Sequence, residues 1–219
     1  MKRVLVLLAM LTVTVSAQAN ITAITNLGSS GGTTAVNIED SGPLTTPLIM
    51  DAKAKNAAQV FLERTGVVLG SDLELTLGGT VAAGTAMNSY IVHFDPVGSA
   101  SSPVYECNGT IAFAEPVLGL IFATKDETTY VPFAQSDTLL GLGSSYYHGD
   151  VNHRKLEIPQ ELWEDVALLP GNVVQLNLFT NSSMDEVRIV TQTIPAPGAI
   201  LLGGLGTCLV GCFRRRKVL

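Results

Sequence analysis

Val173-Val174-Gln175-Leu176-Asn177-Leu178-Phe179-Thr180 is the stretch on which the fold turns, because Val174, Leu176 and Leu178 alternate with Gln175 and Asn177. A strand sends successive side chains to opposite faces, so this period of two buries one face and leaves the other in water. Asp72-Leu73-Glu74-Leu75-Thr76-Leu77 repeats the device, with leucine at every second position. Outward from these, strand-forming runs recur at Ser89 to Phe94, Gly109 to Phe113, Val117 to Ala123 and Val187 to Thr193, with turn residues between them. Asn20 to Thr25 reads as one more strand, followed by a loose loop from Gly28 to Thr34. A short helix is expected over Asp51 to Gln59 from its Ala and Lys content, giving way to strand positions at Val60, Leu62, Val67 and Leu69 that Gly66 and Gly70 interrupt. A second is expected around Pro159 to Val166, opened by proline and rich in early acids. Many short strands without long helical intervals predict a mainly β fold, an antiparallel β-sandwich of jelly-roll-like form.

The two ends of the chain read differently from the middle. Lys2 and Arg3 precede an uncharged run from Val4 to Val15, and Ala17 and Ala19 flank Gln18. That three-part layout predicts a removable secretion signal over residues 1–19, cleaved after Ala19. At the other end Pro195 and Pro197 break regular structure, Gly198 to Phe213 carries no charge, and Arg214, Arg215, Arg216 and Lys217 follow. A transmembrane helix needs roughly 20 apolar residues, so one is expected over about 196–213, its basic tail cytoplasmic and the body translocated. Gly203, Thr207 and Gly211, beside Gly204, Cys208 and Cys212, would line one side of it with small residues suited to close helix contact.

Between the ends, residues 20–194 make one extracytoplasmic domain large enough for a substantial core. This body holds all 19 acidic residues and seven of the 13 basic ones, a balance near −12. Such a charge disfavours nucleic acid and anionic lipid as partners of the body, since both require Lys and Arg to neutralise phosphate. Cys107 is the single cysteine of the body, so no internal disulfide forms there, and it reads as a buried, inert thiol.

Pro195-Ala196-Pro197-Gly198-Ala199, then Ile200-Leu201-Leu202-Gly203-Gly204, then Arg214-Arg215-Arg216 resembles the PEP-CTERM sorting signal of exopolysaccharide-producing Gram-negative bacteria. The resemblance covers residues 195–219 and implies recognition by exosortase, a membrane-embedded processing enzyme. Ala196 stands where the family has Glu, consistent with a variant enzyme that prefers Pro-Ala-Pro. The strings Asn88-Ser89-Tyr90-Ile91-Val92-His93-Phe94-Asp95, Leu118-Gly119-Leu120-Ile121 and Ser136-Asp137-Thr138-Leu139-Leu140-Gly141 are similar to the β-rich ectodomains that precede this signal.

Candidate chemistry in the body is sparse. Gly28-Ser29-Ser30-Gly31-Gly32 has the letters of a nucleophile elbow, but no helical segment follows, as that strand-to-helix turn demands. His148, Asp150 and His153 crowd one polar segment without a zinc spacing, and read as solvent-facing loop residues. His93 and Asp95, at alternate positions of one strand, predict a hydrogen-bonded pair. Asp126 with Glu127, and Asp185 with Glu186, read as charged turns, with a structural Ca²⁺ as the alternative use of their oxygens. Trp163, Tyr90, Tyr105, Tyr130, Tyr146 and Tyr147 are the aromatic candidates for sugar stacking, though core and strand-edge roles suit most of them. The expectation is an exported surface or biofilm-matrix protein with no catalytic residues, no metal site and no cofactor beyond that Ca²⁺. An exopolysaccharide-binding module, with Tyr146, Tyr147 and His148 as its loop, is the alternative, and a secreted hydrolase the more distant one.

Overall fold

The computed structural model describes residues 21–29, 33–45, 55–97, 104–124, 131–142, 155–156, 165–180 and 184–193. Its strands are β1 (Ile21–Asn26), β2 (Thr34–Pro43), β3 (Ala57–Val68), β4 (Leu73–Glu74), β5 (Thr80–Val81), β6 (Ala86–Phe94) and β7 (Tyr105–Phe113), followed by β8 (Val117–Ile121), β9 (Ala123–Thr124), β10 (Lys155–Leu156), β11 (Asp165–Leu169), β12 (Val173–Thr180) and β13 (Asp185–Gln192). The helix α1 (Val131–Leu139) lies between β9 and β10. The fold is mainly β, as expected, and Ala19–Thr193 forms one compact unit. The signal peptide, the tail and its helix lie outside the described residues. Among those described, no helix is long and apolar enough to cross a membrane.

Strand β12 keeps its predicted bounds, and its even-numbered residues Val174, Leu176 and Leu178 are fully buried. Nine strands form one sheet in the order β11-β12-β7-β2-β3-β6-β13-β8, with β1 also on β7, and the sheet is nearly barrel-shaped. Val174, Leu176 and Leu178 share a core with Cys107, Ile111 and Phe113 of β7, and with Val60, Tyr90, Val92, Phe94, Val187 and Ile189 from the other wing. Full burial of each large aliphatic side chain contributes about 1.5–3 kcal/mol, so this inner cluster is the main cohesive element of the fold.

The crossing between the wings is made by β2. Thr34, Ala35 and Val36 run parallel to Tyr105, Glu106 and Cys107 of β7, and from Asn37 onward the same strand runs parallel to β3. Where β2 leaves, β1 takes its place on β7, with Asn26 opposite Gly109. A backbone N–H at such a fork still needs an acceptor. Asn26 Oδ1 supplies one to the Ile38 N–H at 2.7 Å. Gly109 fits here because a Cβ would lie 2.4 Å from the Thr25 carbonyl oxygen and 2.8 Å from Ile38 Cδ1.

A second hydrophobic layer covers the outer face of the β3, β6 and β13 wing. Phe61, Met87, Ile91, Ile121 and Val190 pack there against Leu69, Leu73 and Val81 from the β4–β5 region and Phe133, Leu140 and Leu142 from α1 and its end. Strand β6 is therefore buried on both faces. The leucine run that read as a strand from Asp72 to Leu77 is strand only at Leu73–Glu74. Beyond it, Leu77 bridges to Leu120.

Three expectations are corrected. The antiparallel jelly-roll form fails at β2, which is parallel to both its neighbours. Of the helix expected over Asp51 to Gln59, the described part is not helical: Ala57 to Gln59 belong to strand β3, where Ala57 and Ala58 are buried and backbone pairing outweighs alanine's helix preference. Of the helix expected around Pro159 to Val166, only Asp165 and Val166 are among the described residues, and they are strand β11, with Val166 entering the inner core opposite Leu176.

Gly109→Ala is expected to lower the unfolding free energy by about 1–3 kcal/mol through steric overpacking. Gly70→Ala, whose added Cβ meets nothing within 4 Å, should change it by less than about 0.5 kcal/mol. Urea denaturation of the two variants measures the contrast.

Candidate functional site

The outer face of the central strands carries a cluster of buried charged and polar side chains. On antiparallel neighbours, directly opposed residues share a face, so Arg188 sits beside Ile91, and Glu186 beside His93. Ser89 and Glu63 occupy the same face on β6 and β3.

Arg188 is completely buried between sheet and helix. Its Nε–H donates to Glu63 Oε2 at 2.8 Å and its Nη2–H to Glu63 Oε1 at 3.0 Å, a bidentate fork. The same Nη2 donates to Asp137 Oδ1 at 2.7 Å, and Nη1 donates to Ser136 Oγ. Ser89 Oγ–H donates to Glu63 Oε2 at 2.5 Å, and the guanidinium carbon lies 5.3 Å from the Phe133 ring centroid. Burial alone would lower the Arg188 pKa, but the Glu63 and Asp137 carboxylates outweigh it and hold the group firmly charged. This cluster joins β3, β6, β13 and α1 through one cation.

Helix α1 is shaped to meet it. Proline at position 132 falls in the first turn, where its missing N–H breaks no helical bond. At the other end Gly141 adopts φ 65°, and the N–H groups of Gly141 and Leu142 donate to the Thr138 and Asp137 carbonyls at 3.1 and 2.8 Å. That paired termination stops the helix and turns Leu142 into the outer core. Arg64 Nε–H reaches the Leu140 carbonyl at 3.4 Å, a cation at the negative end of the helix.

His93 is fully buried one step along β6 from this cluster. Its Nδ1–H donates to Glu186 Oε1 at 3.1 Å, whereas Nε2 lies 4.0 Å from Asp95 Oδ2, beyond hydrogen-bond reach. The expected His93–Asp95 hydrogen bond is thus corrected: the partner is Glu186, across the strand pair. Asp185 and Glu186, read as a charged turn, are instead buried residues of β13. Ser89 and His93 are four residues apart on one extended strand, roughly 13 Å, so they make no nucleophile–base pair.

Cys107 is buried on the inner face as expected. Burial, followed by the charges of Asp185 and Glu106, pushes its thiol from the ordinary 9.0 up to about 12. Such a thiol is inert at neutral pH.

Tyr90 and Tyr105 are core residues. Ser30, Asp126, Glu127, Tyr130, Tyr146, Tyr147, His148, Asp150, His153 and Trp163 lie outside the described residues. So do Ala17, Ala19, Pro195, Ala196, Pro197, Arg214, Arg215, Arg216 and Lys217. Among the described residues no group of three or more His, Cys, Asp or Glu side chains is arranged to hold a metal. The Arg188 cluster was missed in the sequence. Its one local signal was an arginine inside a run otherwise apolar at Val187, Ile189 and Val190. No protein-family model, no curated protein and no solved structure matches the chain.

Two measurements follow from this chemistry. Arg188→Met alone strands Glu63 and should cost about 3–5 kcal/mol of stability, whereas Arg188→Met with Glu63→Met should recover most of that loss in chemical denaturation. For Cys107, the folded thiol keeps its proton up to about pH 12 while the unfolded thiol loses it near 9.0. The folded state therefore holds more protons in that window, and stability falls with rising pH by about 1.4 kcal/mol per unit. Denaturation curves between about pH 9 and 11 should flatten in Cys107→Ala; an unchanged slope assigns the loss to other groups.

Proposed function

We propose that this chain is an exported cell-surface or extracellular-matrix protein with no catalytic role, whose β-rich body is cargo for a C-terminal sorting and anchoring tail. The observation that carries the reading is the tail itself: Pro195-Ala196-Pro197, an uncharged stretch to Phe213, and Arg214, Arg215, Arg216 and Lys217. This order resembles the PEP-CTERM signal and implies an exosortase-type processing enzyme as partner, with membrane retention before processing and release to the surface or matrix after it.

The body suits such a role. Its two wings are read here as the facing sheets of a β-sandwich, a rigid form common in exposed proteins. Its best-defined buried polar cluster holds layers together: Arg188 clasps Glu63 and the helix, and His93 is bonded to Glu186. Its acidic balance favours solubility outside the cell.

Deleting Ile194 to Leu219 in the native host should move the protein from the membrane fraction to the soluble one. Mass spectrometry of the wild-type mature protein should find Asn20 at the N-terminus, and at the C-terminus either an end near Pro195 or the intact tail. Unchanged fractionation on deletion defeats the anchoring role, and a retained Met1 defeats the removable signal.

A further inference from the structure

The chain leaves the body at a fixed point. Thr193, one residue past β13, donates its N–H to the Ala86 carbonyl at 3.0 Å and its Oγ1–H to Asn88 Oδ1 at 3.1 Å. Asn88 is 2% exposed, and the same oxygen accepts the Gly66 N–H at 2.9 Å. One residue earlier, the Gln192 N–H donates to the Pro116 carbonyl at 2.8 Å. The last residue before the tail is therefore tied to the sheet through β3 and β6, with no slack between the folded strand and Ile194.

The front of the chain joins the body at the same end. Ile21, the first residue of β1, stands opposite Phe113, the last of β7, and only three residues separate Phe113 from β8, which pairs with the close of β13. Both apolar segments of the sequence, the expected signal run and the expected membrane helix, thus connect to one end of the strands. The surface beside the exit is uncharged, since residues 65–71 and 75–87 contain no Asp, Glu, Lys or Arg. Val68 lies there opposite Ala86, 65% exposed. Two strand spacings, roughly 10 Å, separate it from Thr193. Ala82, Ala83 and Gly84 form an exposed turn next to it, fastened by the Leu69 N–H to the Thr85 carbonyl at 3.1 Å and the Gly84 N–H to the Leu69 carbonyl at 2.8 Å.

Tether length decides what this end faces. With a membrane helix from about residue 196, only Ile194 and Pro195 lie between Thr193 and the hydrocarbon, a span of at most about 7 Å. The headgroup layer on one side of a bilayer is about 5–8 Å deep. A tether no longer than that layer brings Thr193, and the surface fixed around it, down to the headgroups. We infer that the end of the body bearing Thr193, Val68 and the turn at 82–84 is a membrane-facing surface that rests on the bilayer while the chain is anchored, with Val68 as its apolar contact. The inference rests on the anchoring role proposed above and adds to it the orientation of the body. Zwitterionic headgroups suit this uncharged surface, because an anionic leaflet repels so acidic a body.

The test uses the chain from Asn20 to Leu219 in phosphatidylcholine vesicles that carry a headgroup spin label. Cys208→Ala and Cys212→Ala remove the thiols of the tail, and Cys107 is buried. Val68→Cys and, at the far end of the strands, Val97→Cys, a position 57% exposed, each then take one fluorophore. Separated by roughly 30 Å of strand, the two sites should differ in quenching at least about twofold, with the label at 68 the more quenched. Inserting about 20 Gly and Ser residues after Thr193 gives a coil of roughly 25 Å and should abolish the difference. Flotation of the vesicles reports anchoring separately. A chain that fails to float defeats the anchoring role and the inference with it. A chain that floats with equal quenching at 68 and 97, or with a difference unchanged by the inserted linker, overturns the inference alone.

Discussion

A guanidinium with no exposed surface sits in the middle of this fold, and the arrangement around it follows from that burial. Arg188 lies on a central strand whose two faces are both covered, so its charge has no route to water. Glu63 on β3 answers it with two oxygens, Ser89 steadies Glu63, and Ser136 and Asp137 bring α1 down to use the remaining donors. A buried ion pair of this kind gives little net stability over an apolar pair of equal volume, yet losing one member is costly. It therefore acts less as glue than as a register pin, since helix, β3 and β13 satisfy it together only when each is in place.

The inner face has a different logic. It is a continuous apolar core shared by both wings of the sheet, closed at the fork where β2 changes partners and β1 replaces it on β7. Its two ends are chemically unlike. One carries Asp185, whose charge acts on the buried Cys107 thiol, and the other carries Tyr90, Thr191 and Glu115. The acidity that the composition announces is thus partly internal. Several of the carboxylates that make the body so negative are structural members of strands, not a solvated coat.

How much of this was legible depended on whether a residue's fate was decided by its own strand or by another. β12 was read to the residue because one of its faces is core and the other is half-exposed, which writes an alternation of two into the chain. Both faces of β6 and β13 are buried, so their polar residues had no solvent side to be assigned to. Asp185 and Glu186 consequently looked like a turn, and His93 was paired with its neighbour in sequence instead of its neighbour in space. α1 left weak marks, a proline at 132 and a glycine at 141, and its sequence Val131–Leu139 has little of the helical stripe that would have exposed it. β2 has only Val36 and Ile38 buried within a Ser-, Gly- and Pro-ended segment, too short a pattern to distinguish from loop.

By itself the sequence determined that the body is built of strands, that Cys107 is a buried thiol without a partner cysteine in the body, and that the chain carries a charged, apolar and basic grammar at its ends. These are properties of composition and of short periods, and they are local. Tertiary structure alone decided that β2 runs parallel to both neighbours, that Arg188 meets Glu63 across 125 residues, and that the hydrogen-bond partner of His93 Nδ1 is Glu186. Pairing partners are chosen by which arrangement covers both faces of the central strands at once. That choice is a property of the whole packed chain, and no window of a few residues contains it.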